Sequence, residues 1–357
     1  MLKIPEHLPV PKHHTMEIVD SSKVQAFQDC PRGFFFRYVL GLAPEGSNIH
    51  LDFGSAWHDA MEAMLLLLPE YGYSDEVVTV AYQKFLKRYR EGFPDEITDN
   101  DKAPKNPEYA WNALKAYAKQ YQSDNFDVLY TETAGLVPVS ADRKLVVKLD
   151  SIVRDLTDGT VNSMEHKTTG MNSKGWREKW SMILQVESYT HLLYSIFPEH
   201  EVGRVIINGA VFTKTRGFDG VRIPVYKTKE QMSAFLWNIN HWIDMIEWNY
   251  EQLSQTKPSD PVMPAFPINC MSCSKFGCRM GGLCATFPNP LRFVDNPPSG
   301  YKVEFWDPLR EHLNNAPNLI TEEDGKLLIR KKEVTDLPAE PEESTSTESE
   351  DFSMFSA

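Results

Sequence analysis

The chain has 357 residues, of which 41% are hydrophobic and 24% are charged, and its formal net charge at pH 7 is −13. Such proportions are normal for a soluble globular protein with one large domain or two ordinary ones. The longest apolar run, at Met64–Pro69, is far below the ~20 residues of a membrane span. The N-terminal stretch MLKIPEHLPVPKHH lacks the apolar segment of a secretory signal. We therefore expect a cytoplasmic protein that does not bind membranes.

The predicted elements begin after an extended, Pro- and His-rich lead-in at residues 1–20. Ser21-Ser22 is typical of a helix N-cap, and this helix should end near Pro31. Apolar residues at helical spacing after Gly54-Ser55 predict a second helix, with His58 in its first turn. Two further helices fit Asp75–Arg90 and Pro107–Gln122.

Strand-like segments follow these helices. Strands are predicted at Asp127–Val139, Leu145–Leu156, Thr160–Thr168 and Arg204–Lys214, with a helix at Glu178–Ser195 before the last strand and a long helix at Lys229–Gln255. This order predicts an α/β or α+β domain, followed by a cysteine-rich segment.

The end of the chain is acidic. Residues 333–357 contain eight Asp or Glu and no Lys or Arg, which leaves residues 1–332 with a net charge of only −5. We expect this tail to be disordered because it has almost nothing to bury. The overall charge does not exclude DNA, because affinity depends on the charges that meet phosphates.

One predicted hairpin carries unusual charges. The stretch LVVKLDSIVRDLTDGTVNSMEHKTTG, residues 145–170, should turn at Asp158-Gly159. Asp150 lies in its first strand, and Glu165 and Lys167 share a face of the second because strand side chains alternate. Two carboxylates on adjacent strands suit Mg²⁺ or Mn²⁺. The alternative is a solvated cross-strand salt bridge that contributes only ~0.2–1 kcal/mol.

If a cation binds there, it can polarise a phosphoryl oxygen and activate water near neutral pH. Lys167, charged between two anions, would then orient the water and stabilise transition-state charge. Gln185 and Tyr189 are four residues apart on one helix face and can bond a phosphate or hold the lysine. They can equally form an ordinary polar helix edge. His58 can supply a neutral imidazole ligand, although a lone histidine is more often structural.

The motifs in this order resemble a known family. S-x5-F-x2-C-P at Ser21–Pro31, G-x3-H, Asp, E-x-K, Q-x3-Y and a late C-x2-C are similar to the RecB-type nucleases of the PD-(D/E)XK superfamily. The likeness is strongest to the branch with an iron–sulfur cluster, which includes the AddB nuclease domain, CRISPR adaptation nucleases and phage recombination exonucleases. It extends from about Ser21 to Cys284.

The resemblance implies a restriction-endonuclease-like core, with a mixed central sheet flanked by helices, a helical N-terminal insertion and a C-terminal cysteine module. The expected divisions are a nuclease domain at 21–290 (helical part 21–125, catalytic core 126–256, cysteine module 265–290), an extension at 291–332 and the tail at 333–357.

The resemblance also implies roles for individual residues. Asp150 and Glu165 would be metal ligands, together with the backbone carbonyl of His166 and with His58. Lys167 would be the catalytic lysine, and Gln185 and Tyr189 would form the motif that follows the hairpin. The implied reaction is metal-dependent hydrolysis of a DNA phosphodiester.

Five cysteines suggest a second metal site. By themselves, Cys270, Cys273, Cys278 and Cys284 suffice for tetrahedral Zn²⁺, which would leave Cys30 an ordinary buried thiol. The resemblance implies instead that Cys30 joins three of them around a 4Fe–4S cluster that links the chain ends. The sequence departs from the family pattern because Cys278 follows the pair more closely than usual and Cys284 is extra. We expect Cys278 to be the third downstream ligand, with Cys284 as the alternative.

Cations and aromatics follow directly on the hairpin. Lys174, Trp176, Arg177 and Lys179 combine base stacking with phosphate binding, as single-strand sites do. The stretch Lys84–Phe93 interleaves the same residue types but fits a solvated helix face about equally well.

No P-loop motif is present, so a helicase would have to be another chain. The first hypothesis is a DNA exonuclease of recombination, repair or phage DNA processing that acts on single-stranded DNA or single-stranded ends. The alternatives are a CRISPR spacer-adaptation nuclease and a non-catalytic DNA-binding scaffold subunit of a helicase–nuclease complex. The tail, ending DFSMFSA, could dock a single-strand binding or recombinase protein, or could simply increase solubility.

Overall fold

The computed structural model describes residues 1–273, 278–314 and 316–332. The acidic segment 333–357, for which the sequence predicts disorder, lies outside the described residues. Of the helices in the described ranges, none has the length and apolar character that a bilayer crossing requires.

The described helices and strands have the following bounds. The helices are α1 Ser21–Asp29, α2 Pro31–Phe34, α3 Ile49–Tyr71, α4 Asp75–Gly92, α5 Pro107–Gln120, α6 Lys174–Glu178, α7 Leu184–Ile196, α8 Lys229–Ser254, α9 Cys270–Cys273 and α10 Gly281–Thr286. The strands are β1 Leu42–Pro44, β2 Phe126–Pro138, β3 Lys144–Asp155, β4 Val161–Thr169, β5 Val202–Thr213, β6 Gly217–Val225, β7 Tyr301–Val303, β8 Asn318–Glu323 and β9 Lys326–Lys331.

Seven strands form one mixed sheet in the order β6-β5-β4-β3-β2-β8-β9. The pairs β4–β5 and β2–β8 are parallel, and the remaining neighbours are antiparallel. A small ribbon of β1 and β7 stands apart. The mixed sheet with flanking helices confirms the predicted fold class.

Two apolar clusters cover the sheet. The larger cluster packs α1, α7 and α8 against it and includes Val205 and Ile207 of β5. The smaller cluster contains α3, α4 and α5 and takes Ala210 and Phe212 from the same strand. Because side chains alternate along a strand, these two pairs point to opposite faces. The helices therefore form layers on both sides of the sheet.

Several predicted helices are confirmed, but three of them start elsewhere. The side chain of Asp20, not of Ser21 or Ser22, caps α1 by accepting a bond from the Lys23 backbone N–H at 2.7 Å. Helix α3 begins at Ile49, after the cap residue Asn48. His58 consequently lies in the third turn of that helix and not in the first. Helix α7 begins only at Leu184, because the residue before it is extended and residues 179–182 form a 3₁₀ turn.

The C-terminal residues contain structure for which the sequence pattern gave no prediction. Strands β8 and β9 form a hairpin whose turn has positive φ at Asp324 and Gly325. The hairpin joins the sheet where β8 passes Gly135 of β2, and a Cβ there would come 2.4 Å from the Cβ of Ile320. Gly135 therefore permits the close approach of these two strands.

Candidate active site

The predicted hairpin is present and brings the two acids together. Strands β3 and β4 pair antiparallel with Ser151 opposite Met164, and Gly159 in the turn has φ +75°. Asp150 and Glu165 flank that pair and are both buried. The backbone N–H of His166 donates to Oδ2 of Asp150 at 2.7 Å, which fixes the aspartate against the strand that carries Glu165.

The two carboxylate oxygens of Glu165 have different surroundings. Oε1 accepts hydrogen bonds from the Lys167 ammonium and, at 2.9 Å, from the Gln185 amide. Oε2 is buried and meets no hydrogen-bond partner among the described residues. A buried carboxylate oxygen without a partner is costly, and a bound cation is one way to satisfy it.

Helices on either side of the hairpin complete the site. Helix α3 supplies His58, whose Nδ1 lies 3.2 Å from Oδ2 of Asp150. Helix α7 supplies Gln185, which also donates to the hydroxyl of the buried Tyr189 at 2.6 Å. Six residues predicted from the sequence are thus within one connected network: His58, Asp150, Glu165, Lys167, Gln185 and Tyr189.

Burial and charge separate the proton affinities of the two acids. Burial opposes ionisation of Asp150, but the charge and hydrogen bond of His58 outweigh it, so its pKa falls far below the usual range. Burial, followed by the negative charge of Asp150, raises the pKa of Glu165. Burial also disfavours the Lys167 ammonium, yet Glu165 and Asp150 raise its pKa, so the lysine stays charged.

The side chain of His166 belongs to a buried network behind the acids. Burial lowers its pKa to about 3, so the ring is neutral at pH 7. Its Nδ1 lies 2.9 Å from the amide of Asn208 on β5, which also donates to the Tyr117 hydroxyl. Arg222 donates hydrogen bonds to the Asn208 amide oxygen and to the Tyr117 hydroxyl. The network orients the residue whose carbonyl is predicted to be a ligand.

Two neighbouring residues were missed by the sequence reasoning. Lys148 of β3 pairs with Glu132 of β2 at 2.5 Å. Burial, followed by the charge of Asp150, raises the pKa of Glu132 to about 7. One signal could have revealed the lysine, since it stands two residues before Asp150 just as Lys167 stands two residues after Glu165.

Glu132 and Lys148 line an open groove of about 680 Å³, together with His58 and Lys167 of the site. The groove is bordered by α3 with His58, by Glu132, Lys148 and Lys167 of the sheet, and by the C-terminal segment with Trp306. We refer to it as the active-site groove.

The residues predicted to bind DNA lie beside the hairpin in varied environments. Lys174 is exposed and lies 3.5 Å from Glu178, and Arg177 donates to Asn172 at 2.6 Å. Lys179 lies 4.5 Å from the Trp180 ring centroid. Trp176 is half-buried and packs so closely on β5 that a Cβ at Gly209 would lie 2.6 Å from its ring. The Lys84–Phe93 stretch lies on α4, where Phe85 and Tyr89 are core residues.

The cysteines lie where the junction of α1 and α2 meets the segment that follows α8. Arg32, beside Cys30, donates from Nε to the Phe266 carbonyl at 2.8 Å and is buried. Cys270 and Cys278 are exposed, whereas Cys30, Cys273 and Cys284 are half-buried. Burial raises the pKa of Cys284 to about 11, and the neighbouring Cys30, Cys278 and Cys273 add to that shift.

In the described structure, neither the acid pair nor the cysteines form a complete set of metal ligands. Within the described ranges, no three His, Cys, Asp or Glu side chains converge closely enough to hold an ion. The acid pair nevertheless has the donor chemistry of a Mg²⁺ or Mn²⁺ site, because it offers hard carboxylate oxygens and one of them is buried without a partner.

Comparisons with known proteins place the chain in a family. The family model described as "PD-(D/E)XK nuclease superfamily" matches residues 21–275, which is well over half of the chain. No curated protein matches this chain. The chain is similar to the solved structure of a "Putative exonuclease" from Eubacterium rectale, with 15% identity, a TM-score of 0.37 and coverage of 68% of this chain and 82% of that chain. It is also similar to the structure titled SSO0001, with 14% identity, a TM-score of 0.24 and coverage of 54% and 88%.

Proposed function

The chain belongs to the PD-(D/E)XK nuclease superfamily, and from this premise we propose that it is a metal-dependent DNA exonuclease of recombination, repair or phage DNA processing. Members of the superfamily typically use Mg²⁺ or Mn²⁺, and DNA is the substrate that the family implies. The RecB-type branch and the exonucleolytic mode remain predictions.

In the proposed site, one divalent cation would be held by Asp150, Glu165, the carbonyl of His166 and His58. When bound, such an ion supplies Lewis-acid activation of the phosphodiester and of the attacking water. The single observation that carries this proposal is the unpartnered, buried Oε2 of Glu165 next to Asp150. A buried carboxylate oxygen without a partner costs free energy, which a bound cation would offset.

The chain's own residues position the reactants. Lys167 remains protonated because Glu165 and Asp150 flank it, and its ammonium can donate to the attacking water or to a phosphate oxygen. Gln185 holds Glu165 through Oε1, which leaves Oε2 available to a cation. Tyr189 is buried behind Gln185 and restricts the rotamers available to that amide.

Of the two alternatives, an adaptation nuclease would use the same chemistry and the same residues. A non-catalytic scaffold subunit is disfavoured, because a subunit without activity would not need Asp150, Glu165 and Lys167 in one network. The contacts of these residues support an active enzyme.

The cysteines support a second, structural metal group. We propose that Cys30, Cys270, Cys273 and Cys278 bind a 4Fe–4S cluster, with Cys284 as the alternative fourth ligand and Zn²⁺ as the alternative metal. Four thiolates can satisfy either group. In support, the N-terminal and C-terminal cysteines lie on segments that are hydrogen-bonded to each other through Arg32.

We further propose that Lys174, Arg177 and Lys179 contact DNA phosphates beside the groove. Of the two tryptophans in that stretch, Trp180 is buried, and the half-buried ring of Trp176 packs on Gly209 of β5, so stacking by Trp176 stays a prediction. Partners of the acidic tail, such as a helicase, a single-strand binding protein or a recombinase, stay predictions from the sequence.

Digestion of end-labelled DNA tests the proposed function. Wild-type protein with Mn²⁺ or Mg²⁺ should shorten single-stranded DNA or duplexes with single-stranded ends, and Lys167→Ala should lose at least ~100-fold in rate because transition-state charge is no longer stabilised. Lys144→Ala, at the exposed start of β3, is the matched control and should cleave normally. Equal rates for Lys167→Ala and wild type would remove the lysine from the mechanism.

A further inference from the structure

The active-site groove has a wall that comes from outside the family match. Trp306, Glu311 and His312 line the groove opposite α3, together with Lys148 and Lys167 of the sheet. They lie in residues 304–314, whereas the match to the superfamily ends at residue 275. The chain thus adds its own surface to a site whose acids and lysine are common to the family.

Contacts on both sides hold this wall in place. The ribbon of β1 and β7 anchors the segment before Trp306, and β8 anchors the residues after it to the edge of β2. The Trp306 indole N–H donates to Oδ2 of Asp20 at 3.2 Å, and the next residue, Asp307, bonds His14 at 2.7 Å. A ring fixed in this way can accept a ligand without a large loss of side-chain entropy.

The wall contains two aromatic rings, those of Trp306 and His312. Trp306 and His312 lie edge to face, with ring centroids 5.4 Å apart and planes inclined by 72°. Trp306 is only half-buried, so part of its ring faces the groove. Nδ1 of His312 is buried and finds no hydrogen-bond partner in the described part of the chain. A nucleobase offers a π-face that fits the part of the Trp306 ring facing the groove.

Cations and acids both line the groove, so its net attraction for phosphates is small. Its cations Arg88, Lys148 and Lys167 are matched by acids that line it, namely Asp59, Glu62, Glu132 and Glu311. Burial raises the pKa of Asp59, Glu62 and Glu132, which is expected where carboxylates crowd a poorly solvated surface. Attraction for a phosphate backbone is therefore weak here, and another source of affinity is needed.

We propose that Trp306 is a base-stacking platform that makes the groove bind a single-stranded DNA end. This inference rests on the proposed function, because it concerns the substrate of the same site. Stacking needs an unpaired base whose face is free, and a duplex interior does not offer one. His312 supports the ring of Trp306 from its edge.

The groove also provides a path for the rest of the strand. Leu51 and Arg88 line both this groove and a second cavity of about 500 Å³. Arg37, Arg279 and Lys302 line that second cavity, together with the acids Asp52, Glu91 and Glu304, of which Glu304 pairs with Lys302. A strand stacked on Trp306 can thus continue over the exposed Leu51 toward these cations.

Binding measurements test the inference separately from cleavage. The full chain carrying Lys167→Ala is titrated without divalent metal into a fluorescent 20-nucleotide strand and into the blunt duplex of the same sequence. Three changes at Trp306 are compared in this background: Trp306→Ala, Trp306→Leu, which keeps most of the bulk, and Trp306→Phe, which keeps a ring but no N–H donor. Trp237→Ala on α8, where the indole is 68% exposed, is the matched control.

The expected result is a loss of about 10-fold or more in single-strand affinity for the alanine and leucine variants, as for one lost stacked base. Trp306→Phe should stay within about threefold of the parent, and the control and all duplex affinities should not change. Unchanged binding by Trp306→Leu would overturn the inference. So would equal losses for Trp306→Phe and Trp306→Leu, since the indole N–H bond to Asp20 would then be the important contact.

Failure of the inference and failure of the proposed function give different results. If wild-type protein cleaves DNA but the Trp306 variants bind single strands like the parent, only the stacking role is wrong. If the wild type cleaves no DNA and the parent binds none, both are wrong.

Discussion

Asp150 and Glu165 show how local contacts give two similar side chains different properties. Asp150 accepts a backbone N–H and faces His58, so it remains ionised although it is buried. Glu165 keeps its charge less readily, because burial and Asp150 both favour its protonated form. A divalent cation between them would relieve the repulsion that raises the pKa of Glu165.

A second buried charge affects the stability of the fold and not the proposed chemistry. Lys23 is 2% exposed and donates to the backbone carbonyls of Thr15 and Ile18 at 2.5 and 2.9 Å. Burial lowers its pKa from 10.5 to about 8 in the folded state, against the attraction of Asp20 and Asp307. It ties the lead-in to α1 at the cost of burying an ammonium.

The lowered pKa of Lys23 predicts that the free energy of unfolding depends on pH. Between pH 8 and 10 the unfolded chain binds more protons at Lys23 than the folded chain, so the contribution of Lys23 to the free energy of unfolding rises with pH, by up to ~1.4 kcal/mol per pH unit. In urea unfolding, the free energy of unfolding of wild type relative to that of Lys23→Met should therefore rise from pH 8 to 9.5. The exposed Lys87→Met is the control. A difference between wild type and Lys23→Met that does not vary with pH would contradict the assignment.

At the scale of single residues, the sequence was enough to propose most of the side chains that the structure brings together in the candidate site. Asp150, Glu165, Lys167, Gln185 and Tyr189 could be found because the spacings E-x-K and Q-x3-Y place side chains on one face of a strand or helix. Glu132, Asn208, Trp306 and His312 could not be found in this way. Each reaches the site from a strand or segment distant in the chain, so no local spacing connects it to the hairpin.

At the scale of elements, periodicity succeeded where each element is long. Helices α4, α5 and α8 and strands β2 to β5 lie within two residues of their predicted bounds. The sequence pattern predicts the start of α3 too late because Gly54 resembles a helix boundary. Gly54 lies inside the helix, and a Cβ there would meet Thr168 Oγ1 at 3.7 Å. Strands β8 and β9 are short, and their position depends on a parallel contact with β2 that no local pattern encodes.

The contact of β8 with β2 predicts a strong effect of a small substitution. In Gly135→Ala, the new Cβ would overlap the Cβ of Ile320 and approach its carbonyl oxygen at 2.9 Å, so β8 must move away from β2. We expect a loss of about 2–4 kcal/mol in the free energy of unfolding. The β8–β9 hairpin should also become more sensitive to proteolysis than the rest of the sheet.

Gly175→Ala is the control for this prediction, because a Cβ at Gly175 meets no atom within 4 Å in the described structure. The free energy of unfolding should change by less than ~0.5 kcal/mol there. If Gly135→Ala were equally harmless, the parallel contact of β8 with β2 would not exist in solution.

At the scale of the whole molecule, the junction of α1 and α2 meets the segment that follows α8. Asn269 donates to the Asp29 carbonyl at 2.9 Å across 240 residues, and Arg32 bonds three carbonyls of residues 263–288. The sequence predicted this meeting only through the family resemblance, since neither composition nor periodicity relates Cys30 to Cys270. A metal group at this junction would close a long loop and restrict the unfolded chain.

The proposed cluster therefore has a spectroscopic and a thermal signature. Protein prepared without oxygen should be brown and contain about four irons per chain, as a 4Fe–4S cluster requires. Cys273→Ser should lose the colour and melt several degrees lower, because the link between the chain ends is weakened. Cys284→Ser tests the alternative ligand and should keep the colour. A colourless protein with one zinc per chain would show that the metal is Zn²⁺.

The acid pair on the hairpin is the feature on which the proposed chemistry depends most, and titration with Mn²⁺ tests it directly. Free Mn²⁺ can be followed by its paramagnetic resonance while the ion is added to wild type, Asp150→Asn and Glu165→Gln, with Glu187→Gln of α7 as a control outside the site. We predict one tight site in wild type and in the control, weakened at least ~10-fold in both acid variants because a carboxylate ligand is lost. Binding of Mn²⁺ by Asp150→Asn and Glu165→Gln with wild-type affinity would contradict a cation held by these two acids.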